Sequence, residues 1–318
     1  CVTDLSAILC AMQANWSFEH ADAWDACHAR AGGSLQQDWA YGSTLKMLGV
    51  GVLRVVIEQD GTPIALAQFL LRCWGSLAAL VLCSRGPVWL QDLDATDKAR
   101  AYRLIKTTLP LGGLTWVVTT PEEALGDALG LSPWRRVMTG AATVMLDLTP
   151  DETQLRAGMQ GNWRNALNSA EKGKLQIARM SPKPGAYRWL LEAEEKQRQE
   201  RGLEGLPLPF FDVFLQARNN PQLSSWGYRA DSGKHAVAGM IFLIHGSVAT
   251  YQVGWGNEQG RQERAHYLLF WRALCDLKAH GIQHLDLGGV NTQRSAGLAR
   301  FKMGLGGEVQ QFAGTYLL

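Results

Sequence analysis

The sequence predicts an α+β protein built from two similar units. Its 318 residues suffice for two domains of ordinary size, and 47% hydrophobic with 19% charged residues is typical of globular proteins. Short apolar runs rich in β-branched residues are separated by glycine-containing turns, which indicates strands and hairpins. The same order of predicted elements appears twice, which indicates an internal duplication.

The first copy is predicted to contain three antiparallel strands, then a helix, then a fourth strand. The second copy repeats this order, and its turn Gly246-Ser247 lies 171 residues after the turn Gly75-Ser76. Because the helix returns the chain across the sheet, the last strand of each copy should join it as a crossover. The predicted elements are strands 53–59, 64–71 and 77–83, helix 95–109 and strand 114–119, then strands 226–230, 236–244 and 248–255, helix 265–279 and strand 282–287.

This order resembles the core of GNAT-type acyltransferases, in which two central strands splay apart and the substrate thioester or ester enters the gap. The resemblance implies two tandem GNAT-like domains with mixed, mostly antiparallel sheets flanked by helices. We place the first domain at 1–150 and the second at 151–318, with a helical segment, 151–225, leading into the second. Two generic α/β sandwiches without shared ancestry are the alternative interpretation.

The distribution of charge and of cysteines limits the classes of ligand and of metal site that we expect for this protein. Residues 1–150 hold 11 Lys and Arg against 14 Asp and Glu, a balance of −3, whereas residues 151–318 hold 20 against 15, a balance of +5. The basic second half favours a polyanionic ligand or is an ordinary solvated surface. The six cysteines lack paired spacing and no Cys/His cluster has zinc spacing, so we expect a reduced, cytoplasmic protein without metal. We expect no signal peptide and no transmembrane segment.

Four stretches, spread over nearly the whole chain, carry a resemblance to a known family. They are Gly33–Ala40 with Lys46 and Gly49, Ser84–Val88, Arg164–Lys172, and Asp286–Gly289 with Gly297–Gly307. In these stretches the chain resembles the Fem family of aminoacyltransferases. Family membership implies transfer of an aminoacyl group from aminoacyl-tRNA onto an amine, with no cofactor and no DNA partner. The acceptor in typical members is the stem peptide of a peptidoglycan precursor. Segment 185–225 is short for the helical arm of some members, which favours a compact branch that includes enzymes acting on amine-bearing peptides or small metabolites.

The predicted catalytic residues are Lys302, Phe301 and Asp286. An aminoacyl ester is already activated, so the site must position a neutral amine and stabilise the developing oxyanion. Lys302 follows Phe301 in a glycine-rich stretch, whereas the equivalent position near Leu131 has no lysine, which places the chemistry in the second copy. The alternative is a surface lysine before a turn. Asp286 either accepts a proton or orients the amine, or it caps the following loop.

Four residues are predicted to bind the donor. Tyr251 and Trp255 alternate along one predicted strand, so they should share a face and line a slot or fill the core. CoA-dependent relatives need bare backbone before the helix that begins at 265, because its amides hold the pyrophosphate. This chain has Arg261 and Arg264 there. They are candidates for gripping phosphates of the tRNA acceptor end, or they are exposed arginines on a polar loop.

The resemblance places the acceptor in the first domain, where Trp39, Lys46, Arg85 and Tyr102 are groove candidates or packing residues. The charged run 192–201 is expected to be a solvated helix face.

Two further functions stay open at this point. The first is a CoA-dependent N-acyltransferase with a variant loop, which CoA but not tRNA would stabilise thermally. The second is a non-catalytic module that recognises an anionic ligand, for which a Lys302→Ala protein would keep full function.

Overall fold

The structure is a computed structural model, and it describes residues 12–75, 77–124, 133–203, 205–290 and 295–318. Cys1, Cys10, the turn residue Ser76 and the position near Leu131 lie outside the described residues. No helix within the described ranges is long and apolar enough to cross a bilayer. The same ranges contain no group of three or more His, Cys, Asp or Glu side chains placed to hold a metal ion.

The strands form two sheets, one for each predicted unit. The first sheet has the order β1-β2-β3-β4-β6-β15-β7, with β5 paired to β3, and the second has the order β14-β8-β13-β12-β11-β10-β9. The strands are β1 (Met12–Asn15), β2 (Gly51–Gln59), β3 (Thr62–Trp74), β4 (Ala78–Ser84), β5 (Val88–Trp89), β6 (Leu114–Thr120), β7 (Arg135–Met138), β8 (Ala142–Asp147), β9 (Gln176–Met180), β10 (Ser225–Ser232), β11 (His235–His245), β12 (Val248–Gly256), β13 (His284–Gly289), β14 (Glu308–Gln311) and β15 (Thr315–Leu317).

Helices cover the sheets, and α3 and α4 begin at aspartate N-caps. Asp94 accepts a hydrogen bond from the amide of Asp97, and Asp151 forms a capping box with Gln154. The helices are α1 (Ala21–Arg30), α2 (Trp39–Met47), α3 (Ala95–Thr108), α4 (Glu152–Gly158), α5 (Gly161–Glu171), α6 (Pro184–Glu200), α7 (Pro209–Gln216), α8 (Pro221–Ser224), α9 (Glu258–Gln262), α10 (Ala265–Ala279) and α11 (Ala296–Gly304), with a 3₁₀ turn at Leu35–Gln37.

Strand pairing confirms the duplication. In the first unit β2, β3 and β4 pair antiparallel, and β6 returns parallel to β4 after α3. In the second unit β10, β11 and β12 pair antiparallel, and β13 returns parallel to β12 after α10. Helix α10 has the same bounds as the predicted helix 265–279.

The two copies differ at the crossover strand. In the first unit β4 and β6 stay paired over all seven residues, from Ala78 with Leu114 to Ser84 with Thr120. In the second unit β12 and β13 pair over three residues and end at Thr250 with Asp286. Strand β12 then follows β11 while β13 turns to β8, so a notch between splayed strands exists in the second sheet alone among the described strands.

Strand pairing also crosses the predicted boundary at residue 150 in both directions. Strand β8 precedes this boundary but pairs with β13 and β14 of the second sheet. Strand β15, at the end of the chain, pairs with β6 and β7 of the first sheet. One apolar cluster is shared as well, with Leu35 and Leu45 beside Phe210, Phe214 and Leu243. The division at 150 stays a prediction, and the two sheets exchange strands across it.

Two polar side chains of the second half, Arg218 and His245, bond to groups of the first half. Arg218 donates to Asp38 over 2.6 Å, which pairs an arginine of the second half with a carboxylate of the first. His245 places Nδ1 3.1 Å from the carbonyl of Gly33, so Nδ1 must donate there, and its Nε2 accepts from the hydroxyl of Thr250 at 2.8 Å. A neutral imidazole therefore satisfies both bonds.

We expect acid to destabilise the protein through His245. Burial lowers the pKa of His245 to about 3, with the neighbouring His28 as a further cause. Below the unfolded-state pKa of about 6.5 the unfolded chain binds the extra proton, so the free energy of unfolding falls by about 1.4 kcal/mol per pH unit. Denaturant titrations from about pH 6 to about pH 4 should show this steeper loss in wild type than in His245→Gln. Equal slopes would contradict it.

Candidate active site

The notch between β12 and β13 organises the candidate site. Along β12, Tyr251 pairs with Phe242 and Val253 pairs with Ile241, so Gln252 has no direct partner on β11. This bulge reverses the alternation of side chains, because one extra residue moves the following ones to the other face. Tyr251 packs on Phe270 at 4.8 Å, on the α10 side of the sheet.

Tyr251 and Trp255 therefore do not share a face, and the expectation that they do is wrong. Val253 belongs to the apolar cluster on the α6 side, where Trp255 packs edge-to-face on Trp189 with ring centroids 5.9 Å apart. The alternation argument fails because a bulge leaves no signature in the apolar pattern of the strand.

Lys302 lies beside the point where the strands diverge. Its side chain is in the last turn of α11 and only 6% of the residue is exposed, which excludes the surface-lysine alternative. The Nζ atom donates to the carbonyl of Gly289 at 3.0 Å and lies 6.0 Å from the ring centroid of Tyr251. Burial lowers the pKa of Lys302, and the charge of Asp286 opposes this shift. The glycine-rich stretch that carries it is a helix and not an open loop.

Phe301 fixes α11 against the second domain. Its ring lies 5.1 Å from Tyr267, 5.5 Å from Phe270 and 5.7 Å from Trp163, all measured between centroids. These contacts hold the helix turn that carries Lys302, while one edge of Phe301 faces a cavity.

Asp286 is a buried carboxylate with several partners, and it lies where the pairing of β12 with β13 ends. The residue is 1% exposed, and its Oδ1 accepts from the Thr143 hydroxyl at 2.5 Å and from the amide of Gly288 at 2.8 Å. Its Oδ2 is ion-paired with Arg85, which reaches across from the first unit. The bond to Gly288 supports the loop-capping interpretation of Asp286.

Arg85 is thus held between two carboxylates, Asp286 and Glu122, and does not point into a groove. Its second Nη atom pairs with Glu122, which follows β6. Burial raises the pKa of Glu122, and the charge of Arg85 opposes that shift. A cavity of about 220 Å³ adjoins Glu122 and Glu123 in the first unit, and its other lining residues are Ala31, Gly32, Gly33, Pro87, Val88 and Trp89.

The remaining acceptor candidates have separate environments. Tyr102 is 0% exposed in the core of the first unit and packs on Trp89, so it cannot line a groove. Trp39 stacks under the Arg54 guanidinium at 3.6 Å, and Lys46 is exposed near the end of α2. These four candidates therefore do not assemble into one site.

A cavity of about 350 Å³ opens beside Lys302's helix, and three of the four donor candidates line it. Tyr251, Arg261 and Arg264 are there, together with Phe301, whereas Trp255 is not. Glycines shape its wall, because a Cβ on Gly254 would lie 1.6 Å from the hydroxyl oxygen of Tyr251. The other lining residues are Gln197, Arg201, Gly256, Gly260, His266, Tyr267 and Leu298.

Helix α6 contributes to this cavity, which the sequence reasoning missed. Gln197 and Arg201 line it and also a second space of about 770 Å³ that continues past Gly254 and Leu298. The run 192–201 is thus not only a solvated face. Its charged composition gave no signal that separated a cavity wall from ordinary surface.

The segment before α10 contains the short helix α9, and four of its backbone amides donate hydrogen bonds within the segment. The amide of Gly260 donates to the side chain of Asn257 at 2.8 Å, and those of Arg261, Glu263 and Arg264 donate to carbonyls of the same loop. Arg264 has a left-handed backbone with φ of 59° where α10 begins. These four amides are therefore not free to cradle a pyrophosphate.

The two arginines of this loop differ in their partners. Arg261 pairs with Glu258 at 2.8 Å and donates to the carbonyl of Gly256, also at 2.8 Å. Arg264 is exposed, and among the described residues no ion pair or hydrogen bond of its guanidinium is found. Within the described part of the chain, Arg264 thus presents an unpaired, exposed guanidinium at the cavity.

Comparisons with known proteins agree with this architecture. The family profile of the acetyltransferase (GNAT) domain matches residues 157–303. The crystal structure of FemX is similar at 14% identity and a TM-score of 0.80, over 95% of this chain and 96% of that one. The C-terminal domain of a putative lysylphosphatidylglycerol synthetase from Agrobacterium fabrum is similar at 13% identity and a TM-score of 0.56, over 93% and 92%. A tandem GNAT protein from the clavulanic acid biosynthesis pathway matches at 14% and 0.55, over 97% and 98%.

No curated protein sequence matches the chain significantly. The structural likenesses confirm two tandem GNAT-like domains, and they confirm at the level of the fold the resemblance to the Fem family. The part of the chain that matches the acetyltransferase (GNAT) domain profile includes Lys302 and most residues that line the cavity beside it.

Proposed function

We propose that this protein transfers an amino acid from aminoacyl-tRNA to an acceptor amine and forms an amide. The observation that carries the proposal is the buried ammonium group of Lys302 beside the notch, next to a cavity whose mouth holds Arg201, Arg261 and Arg264. A cation at the reacting carbonyl and cations around the entrance suit an ester attached to a polyanion.

The reaction needs little covalent help from the protein. The amine nitrogen attacks the ester carbonyl, a C–N bond forms, the C–O bond to the ribose breaks, and the proton lost by the amine ends on the ribose oxygen. Lys302 would stabilise the negative charge that develops on the carbonyl or ribose oxygen. Because only 6% of Lys302 is exposed, its charge is weakly screened by water and acts more strongly.

The exposed guanidinium of Arg264, just before α10, supports a donor that carries phosphates, such as tRNA. Four amides of the segment before α10 donate within that segment, and the amides that begin α10 itself are not among them. FemX and the putative lysylphosphatidylglycerol synthetase support this proposal as structural neighbours. A CoA-dependent N-acyltransferase is the second candidate, and the tandem GNAT neighbour from the clavulanic acid pathway favours it.

The acceptor is proposed to meet the donor from the first-unit side. The cavity there is lined by Glu122 and Glu123, whose carboxylates are paired with Arg85 and Lys98, so it offers hydrogen-bond acceptors to a neutral amine. Both a peptidoglycan stem peptide and a smaller amine-bearing peptide or metabolite carry such a group.

The donor is tested with total tRNA charged with radiolabelled amino acids and a panel of amines. We expect a labelled amide product that forms only with intact charged tRNA, so ribonuclease treatment before mixing should abolish it. Acetyl-CoA alone should give no product, and CoA should not stabilise the protein thermally. Product that forms on acetyl-CoA and survives ribonuclease would replace this proposal with the CoA-dependent one.

A further inference from the structure

Arg85 connects the first unit to the notch of the second. One Nη atom pairs with Asp286 of the second unit and the other with Glu122 of the first. The side chain of Arg85 is 16% exposed and that of Asp286 is 2% exposed, so both charges lie away from bulk water. A guanidinium is suited to this place, because its planar fork donates to two carboxylates at once.

The backbone of Arg85 is held in place by its own unit. Its φ of 51° is left-handed, an uncommon conformation for a residue with a side chain. Its amide donates to the Thr120 hydroxyl at 2.9 Å, and its carbonyl accepts from the Ser34 hydroxyl at 3.0 Å. Residues from β6 and from the segment before α2 thus aim this arginine across the boundary.

Asp286 links the position of Arg85 to that of Lys302 through the backbone of Gly288 and Gly289. The Oδ1 atom of Asp286 accepts from the amide of Gly288, whose φ of 76° fixes a sharp turn near the end of β13, where the pairing with β8 is irregular. The next residue, Gly289, offers the carbonyl that accepts from Lys302 at 3.0 Å. Arg85 therefore reaches Lys302 through Asp286 and the turn 288–289, and it contacts neither the cavity nor the ammonium group itself.

We propose that Arg85 is a positioning residue for the reactive centre of the second unit. The first unit has a closed pair of central strands, and it contributes a guanidinium that fixes Asp286 and, through it, the ammonium of Lys302. The test by kcat rests on the proposed transferase activity. A second test, the chemical labelling of Lys302, does not depend on that activity.

The chain contains a matched control in Arg218. It also pairs across the boundary with a buried carboxylate, Asp38, at 2.6 Å, and its side chain is 12% exposed. It contacts none of Asp286, Gly288 or Lys302 within the described residues. Arg85→Ala and Arg218→Ala each remove a cross-unit ion pair with a buried carboxylate, and Arg218→Ala also removes a longer pair with Asp25 at 3.9 Å. A general effect of weakened domain docking should therefore appear in both.

In the transferase assay we expect Arg85→Ala to lower kcat by roughly 100-fold, because a small displacement of the group at the reacting carbonyl costs about that much. The KM for charged tRNA should change less than about threefold, since the phosphate contacts remain. Millimolar guanidinium should restore part of the activity of Arg85→Ala, whereas sodium chloride at equal ionic strength should not. Arg218→Ala should keep kcat, although its thermal midpoint falls too. Equal kcat losses in both variants would overturn the proposal.

The second readout is the reactivity of Lys302 towards an amine-directed acylating reagent, followed by peptide mass spectrometry. Releasing the turn 288–289 should expose Lys302, so labelling in Arg85→Ala should be faster by on the order of tenfold than in wild type or Arg218→Ala. Arg85→Lys keeps the positive charge but cannot donate to both carboxylates at once, so its labelling rate should lie between those of wild type and Arg85→Ala. Unchanged labelling in folded Arg85→Ala overturns the inference whatever the donor is, whereas absence of product in wild type with the labelling pattern intact overturns only the tRNA donor.

Discussion

Replacing Lys302 by methionine should lower kcat for amide formation by about 1000-fold, since losing one preorganised group at an oxyanion costs on the order of 100- to 1000-fold. Methionine is similar in length and apolar, so it should fit the pocket under Gly289 without a buried charge. The KM for charged tRNA should hardly change. Single-turnover kinetics with excess enzyme would separate this chemical step from binding.

Lys302→Arg is the matched control, because it keeps a cation and its hydrogen-bond donors. It should retain more activity than the methionine variant. Methionine and arginine variants with equal, wild-type rates would remove Lys302 from the mechanism.

The same lysine should set the alkaline limit of activity. Burial lowers the pKa of Lys302 below its usual value of about 10.4, so the ammonium form is lost at a lower pH than for an exposed lysine. Activity that needs this charge should fall as the pH rises through that lowered pKa. In Lys302→Arg the guanidinium stays charged, so the alkaline limb should move to higher pH. Identical pH–rate profiles for the two proteins would contradict a role for the charge.

The parts of the fold that follow from local signals were predicted well. The hairpin around Gly246-Ser247 and helix α10 depend on turn residues and periodicity that lie within a short window. Strands β8 and β15 were not predicted as exchanged strands. Each is short, and its partner is chosen by tertiary packing across more than a hundred residues.

The residues of the candidate site also separate into those that the sequence predicted and those that it did not. Lys302, Phe301 and Asp286 were predicted from the family resemblance, and the structure brings them to one place. The contact of Arg85 with Asp286 joins residues 201 positions apart, and nothing in either neighbourhood encodes it. Thr143 and Glu122 were missed for this reason. Tyr102 was misplaced because an aromatic residue on an amphipathic helix fits a groove and a core equally well from sequence alone.

Reversing two charges at the cavity mouth should weaken tRNA binding by roughly 100- to 1000-fold. Arg201 and Arg264 line the cavity, both are exposed, and no ion pair of either guanidinium is found among the described residues, so both remain available to phosphates. In Arg201→Glu/Arg264→Glu each former attraction becomes a repulsion, while Lys302 is untouched. The dissociation constant for charged tRNA, measured by filter binding at several salt concentrations, should rise. The salt slope should become shallower by about 1.4, since a contact with single-stranded nucleic acid contributes about 0.7.

The loss of tRNA affinity in Arg201→Glu/Arg264→Glu could come from the changed net charge or from the loss of specific contacts, so a control variant is needed. The chain has a formal net charge of +2, and the double reversal shifts it by four units to −2. Arg103→Glu/Lys174→Glu makes the same shift at two exposed positions that do not line this cavity, so it should alter tRNA affinity by less than about threefold. If both double variants lose affinity equally, attraction is spread over the whole surface, and the cavity beside Lys302 is not where the acceptor end of the tRNA enters.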